Sequence, residues 1–271
     1  MARTGQIDSD RTSLWLPLLQ ELSRRSSSWL IYKNADSALH GVGDVDSTAS
    51  PDDWDTITET FRSWARDLGP SVVCSHIPGG LNLVAAPTTM THVLEIGLKQ
   101  QKSYRGSILF EWDQLMPLAA WDDRGFRELR PGAEALLKLI LNGINRDSSK
   151  NVVGIESKAV VEGLEIDFAG AVLAAESLLS GRASAAAVDL AESLVEGGWQ
   201  RGAARSIQMS AYSKALMKPR WALQRARFRG KASSACPITE VLLGNHRVIP
   251  EQRSLWWSRV VDTHRDTADP E

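Results

Sequence analysis

Asp44 and Asp46 stand either side of Val45 in the run Gly41-Val42-Gly43-Asp44-Val45-Asp46-Ser47. On an extended segment residues i and i+2 face the same way, so both carboxylates share one surface while Val45 turns into a core. Two carboxylates this close repel each other unless a cation lies between them. A divalent ion is the simplest such cation, and Mg²⁺ favours hard oxygen ligands completed by the phosphates of a substrate. The plainer reading of the same residues is a hairpin turn built on Gly41, Gly43 and Asp44.

Glu95 offers a third carboxylate. In the stretch His92 to Lys99 an alternating pattern puts Leu94, Ile96 and Leu98 on one face and Val93, Glu95 and Gly97 on the other. An acid on a core strand is seldom placed without a partner, which makes Glu95 a candidate metal ligand or general base. An edge-strand acid in water is the alternative. A different chemistry is suggested between Gly197 and Thr239, where there is no acid. The bases there include Arg220, Arg225, Arg227 and Arg229, interleaved with Tyr212, Trp221 and Phe228, a composition suited to phosphates and stacked bases. A solvated helical face is the competing account.

The formal net charge of -2 gives no global attraction to nucleic acid, so any polyanion site must be local. At 43% hydrophobic and 24% charged, the chain has the composition of an ordinary globular protein. Cys74 and Cys236 make neither a disulfide framework nor a metal spacing, and a reducing cytoplasm is the simplest setting. The N-terminus lacks an apolar signal core, and no apolar run reaches membrane-spanning length.

The elements that must position these residues follow from periodicity. Trp15, Leu18, Leu19 and Leu22 predict a helix over residues 13–25, with Pro17 in its first turn. A strand over 29–33, a loop over 34–43 with Gly41 and Gly43 as hinges, and a strand over 44–49 come next. Pro51 opens a helix running to Leu68, with acids in its first turn. Strands are predicted over 72–76, 81–85 and 92–99, and a helix begins at Pro131. From about Lys150 the pattern is helical, punctuated by Gly154, Gly163, Gly170, Gly181 and Gly197-Gly198. Leu242-Leu243-Gly244-Asn245-His246 lacks the Gly-Lys-Ser/Thr of a P-loop. His40, in the loop before the aspartates, reads as a solvent histidine.

The order is strand, loop, Asp-x-Asp strand, helix, two strands and a Glu-bearing strand. After it come the runs Gly106-Ser107-Ile108-Leu109-Phe110 and Asp113 to Leu118, and then the helix around Leu129 to Ile140. Over residues 28–145 this resembles the nucleotidyltransferase superfamily, in particular the bacterial branch that includes the nucleotidyltransferase toxins of toxin–antitoxin systems. The resemblance implies an α+β fold, a mixed sheet flanked by helices over residues 1–145, with a mostly helical C-terminal domain over 146–271. It further implies that Asp44 and Asp46 hold Mg²⁺ against a nucleoside triphosphate, with Glu95 as third carboxylate. Lys33 and Asn34 stand where the family carries small residues that let the backbone approach phosphates, and Ser47, which follows the aspartates, reads either as a further phosphate contact or as a cap to the strand end. The implied acceptor is an RNA such as a tRNA end, a protein side chain or a small molecule, and a cognate antitoxin is an implied partner. The alternative is a binding protein that keeps the fold and has lost the chemistry.

Overall fold

The computed structural model describes residues 4–40, 44–68, 71–77, 79–86, 94–143, 155–216, 238–243 and 246–248. Along the chain the helices are α1 (Thr4–Arg25), α2 (Ala35–Leu39), α3 (Trp54–Leu68), α4 (Trp112–Leu115), α5 (Pro131–Lys138), α6 (Ile155–Ile166), α7 (Phe168–Leu178), α8 (Arg182–Val195) and α9 (Arg201–Leu216). The strands are β1 (Leu30–Lys33), β2 (Val45–Thr48), β3 (Ser71–Ile77), β4 (Gly80–Ala86), β5 (Leu94–Lys99), β6 (Gln101–Tyr104), β7 (Ser107–Glu111), β8 (Ala119–Trp121), β9 (Arg127–Leu129), β10 (Ile238–Leu243) and β11 (His246–Val248). The class is α+β. The chain divides into one unit of residues 1–29, 34–100 and 227–271, and another of residues 30–33 and 101–226. This differs from the expected split at 145/146, because local helical periodicity cannot register that a distant segment adds strands to an earlier sheet.

In the first unit the strand order is β11-β10-β3-β4-β5-β2. All neighbours are antiparallel except β2 and β5, which run parallel. Here β10 and β11 stand as strands within the stretch expected to be mostly helical, and they pair strand to strand, not in the strand-to-helix order of a phosphate loop. One sheet face carries Val45, Leu81, Leu83, Leu94, Ile96 and Leu98, all buried. Helix α3 lies against β3 and β4, and α1 against α3. Their facing side chains follow helical spacing: Trp15, Leu18, Leu19 and Leu22 from α1, and Ile57, Phe61 and Ala65 from α3. Trp15 and Trp64 stack at 5.5 Å, and the Trp64 indole N–H donates to the Leu14 carbonyl at 3.1 Å. Each fully enclosed large side chain of this kind contributes about 2 kcal/mol.

Two local expectations need correction. Helix α1 starts well before Ser13, so Pro17 is interior to it, not in its first turn. Its ring lies on the exposed side, where a missing N–H costs least. The expected loop after Asn34 contains the short helix α2, held because Ala35, Ala38 and Leu39 are buried and Thr12 Oγ1 donates to the Leu39 carbonyl at 2.9 Å. Gly41 and Gly43 lie outside the described residues.

The second unit joins β1, β9 and β8 with the hairpin β6–β7 and helices α4 to α9. β1 runs parallel to β9, and β9 antiparallel to β8. The hairpin turns on Arg105 and Gly106, both at positive φ (49° and 85°), as a two-residue turn matched to strand twist demands. The core joins Tyr32, Phe110, Leu136, Leu137, Ile140 and Leu190 with the alanines of α7 and α8. Gly163 and Gly170 do not punctuate helices: they sit within α6 and α7. A Cβ on Gly163 would meet Ala135 and Pro131 at 2.9 Å, so the missing side chain permits the α5–α6 approach. Among the described residues no helix is long and apolar enough to cross a membrane.

Candidate functional site

The first unit's sheet has a second face, and its rows can be read from the register. Asp46 pairs with Gly97, which pairs with Asn82 on the next strand. Thr48 pairs with Lys99, which pairs with Gly80. Glu95 pairs with Val84, and Asp44 immediately precedes β2. Alternation therefore brings Asp44, Asp46, Glu95, Asn82 and Lys99 to one surface. Val45 is 1% exposed behind it, and Asp46 itself only 8%.

The gap between the strands is left by Gly97. A Cβ placed there would stand 3.7 Å from Asp44 Oδ2 and 4.0 Å from Asn82 Oδ1, so two hard oxygens flank an unfilled position. The Glu95 carboxyl is pushed above its ordinary range, first by burial, then by the Asp44 charge and less by Asp46, against the opposing Lys99 ammonium. Like charges and a half-buried setting make its proton hard to remove. β2 is tied to β5 by side chains as well as ladder bonds: the Thr48 hydroxyl donates to the Lys99 carbonyl at 2.6 Å.

Ser47 departs from its expected role. It is fully buried on the Val45 face, and its hydroxyl points to the Gly97 carbonyl at 3.5 Å. The same alternation that unites the aspartates turns the intervening residues away, which removes Ser47 from a phosphate site on the Asp44 face. Asn34 adopts a left-handed conformation, φ 64° and ψ 27°, ahead of α2. That backbone shape is the one glycine supplies most readily, and Asn is among the few other residues that tolerate it. Lys33 ends β1 in the second unit and is half-buried. His40 is exposed, with Nδ1 2.7 Å from the Asp36 carbonyl. Arg220, Arg225, Arg227 and Arg229 lie outside the described residues, as do Trp221 and Phe228. Of the basic window, Arg201, Arg205 and Lys214 fall on α9, with Arg201 and Arg205 exposed.

Sequence reasoning passed over Asn82 and Lys99. The signal for Lys99 was present in the alternation that nominated Glu95, since residues 95, 97 and 99 share a face. Asn82 could not be found, because register across strands is not written locally. Also missed was the seam ahead of β1. There Asp53 Oδ2 accepts from Ser26 Oγ at 2.6 Å, Ser28 Oγ at 2.6 Å and the Ser28 N–H at 3.2 Å, while Ser28 Oγ accepts from the Ser50 N–H at 3.0 Å. This seam fixes the chain leaving β2 against the chain leaving α1.

Among the described residues no group of three or more His, Cys, Asp or Glu side chains is close enough to enclose an ion. A pair of aspartates with an open floor instead fits an ion that keeps waters and takes substrate phosphates for its remaining positions. No family model matches the chain, and no curated protein or solved structure is significantly similar to it.

Proposed function

We propose that the Asp44–Asp46–Glu95 face is the active site of a Mg²⁺-dependent nucleotidyltransferase of nucleotidyltransferase-like fold. The observation that carries this reading is the parallel β2–β5 register, which sets the two aspartates beside Glu95 on one face with Val45 buried behind. Bound there, Mg²⁺ supplies charge neutralisation at the triphosphate. The chain's own residues do the rest. Asp44 and Asp46 would hold that ion, and Asn34 shapes the backbone ahead of α2. Glu95, whose proton affinity is raised, accepts the proton as the acceptor oxygen attacks the α-phosphorus. The new O–P bond forms as the bond to the bridging oxygen breaks, and pyrophosphate leaves. The acceptor is an RNA such as a tRNA end, a protein or a small molecule, with the stretch around Arg220, Arg225, Arg227 and Arg229 as the contact for a polyanion.

The test is incubation of the purified chain with α-³²P-labelled nucleoside triphosphates, Mg²⁺ and each acceptor class. Transfer of label that requires Mg²⁺ and is lost in Asp46→Asn supports the reading. Equal labelling by Asp46→Asn overturns it. Triphosphate binding without transfer to any acceptor selects the alternative, a fold that binds nucleotide with its chemistry lost. The departure at Lys33-Asn34 from the family's small residues favours that alternative.

A further inference from the structure

Helices α8 and α9 follow one another through residues 196–200 and pack side by side in the second unit. Their inner faces join its core, with Leu190 and Leu194 from α8 and Ala204 and Ile207 from α9. Their outer faces carry opposite charge. On α8 Asp189 and Glu192 are exposed, and so is Glu196, which caps the C-terminal end. On α9 Arg201 and Arg205 are exposed, followed at the same spacing by Met209, 66% exposed. These charges work against their own helices, because the acids gather toward the negative C-terminal end of α8 and the bases lead α9 from its positive N-terminal end. Among the described residues no ion pair relieves them, either within a helix or between the two.

We propose that the outer face of α8 and α9 is a homodimer interface, and that its occupant is a second copy of this chain. A two-fold axis along the seam between the helices lays α8 of one copy on α9 of the other. The two run antiparallel and at the same level, because both charged ends adjoin the connecting loop. Glu196 then meets the partner's Arg201, and Glu192 meets the partner's Arg205. Val188, half-buried one turn further along, meets the partner's Met209. The register needs no adjustment, since both stripes step by four residues along one helical face. Each copy supplies the acid and the base alike, which is the self-complementarity that a two-fold contact requires. The surface owes nothing to the Asp44–Asp46 reading.

Sedimentation equilibrium of the full chain tests this. Wild type should dimerise, and less tightly as salt rises, because exposed charges are screened. Arg205→Glu and Glu192→Arg each turn two attractive pairs into repulsive ones, so each should raise the dimer Kd about tenfold or more. Both side chains are exposed, and each reversal agrees better with its own helix dipole, so a weakened fold does not account for the loss. Circular dichroism checks that the helices remain. Mixing the two variants restores every pair, and heterodimers should form with a Kd near that of wild type. Neutralisation within a single copy cannot produce that rescue. A wild-type chain that stays monomeric at every concentration overturns the proposal. So does a dimer indifferent to either reversal, or a mixture that associates no more tightly than its components.

Discussion

Two carboxylates, one in each unit, are treated in opposite ways. Asp167 caps α7, where it accepts from the Gly170 N–H at 3.0 Å and the Gly132 N–H at 3.3 Å. Arg130 grips it bidentately, Nε to Oδ2 at 3.0 Å and Nη2 to Oδ1 at 2.6 Å. Burial works against its charge, but these donors more than offset it and hold the carboxyl below its ordinary range. Glu95 is displaced upward, by burial and by Asp44 and Asp46. A carboxylate whose lone pairs are all answered by fixed donors holds a structure together. One crowded by its own kind holds its proton more tightly.

The sharpest separation should come from Asp46→Asn. Transfer should fall on the order of 10³-fold, as when one preorganised charge-stabilising group is lost. The metal-free protein should remain as stable or gain, since one charge that crowds Glu95 is gone. Activity assays paired with thermal melts read both. In the other unit, Gly132→Ala should act entirely on stability. A Cβ there would overlap the Asp167 carbonyl oxygen, forcing α5 and α7 apart at a cost of about 3 kcal/mol or more, read by denaturant unfolding. Asp167→Ala removes the α7 cap and should cost about 1–2 kcal/mol. If instead it reduces transfer while leaving stability intact, the division into structural and reactive carboxylates fails.

The pH dependence should run in opposite directions at the two sites. Glu95 has a raised folded pKa, so its contribution is fully present below the unfolded glutamate value and is lost as pH rises through the folded one. Asp167 has a lowered folded pKa, so its contribution is present above the unfolded aspartate value and is lost as pH falls through the folded one. Unfolding free energies of Glu95→Gln and Asp167→Asn across the acid range should differ from wild type with opposite slopes. Parallel slopes would erase the contrast. The smallest effect expected is at Asn34, where φ is 64°. Asn34→Ala should cost about 1 kcal/mol while Asn34→Gly is close to neutral, because only the former pays the left-handed penalty of a Cβ.

The sequence by itself determined what depends on near neighbours. Period-two alternation placed Asp44 opposite in sense to Val45, and Glu95 opposite to Ile96. Helical spacing found the buried faces of α1 and α3. It also sets the limits of that reading: α2 is hidden because five residues carry too little periodicity, and Gly163 and Gly170 read as breaks because a glycine in a helix looks the same whether it ends the helix or admits a neighbour. Only the tertiary structure decided that β5 lies parallel beside β2, which brings Glu95 to the aspartates across about fifty residues of chain. It also brought in Asn82 and Lys99, turned Ser47 into the core, and returned β10 and β11 to the first unit's sheet. The reason is that strand pairing is chosen by the burial of whole faces and by backbone hydrogen bonds that every residue type offers alike. Local sequence therefore says which way a side chain points, and leaves open what it will find there.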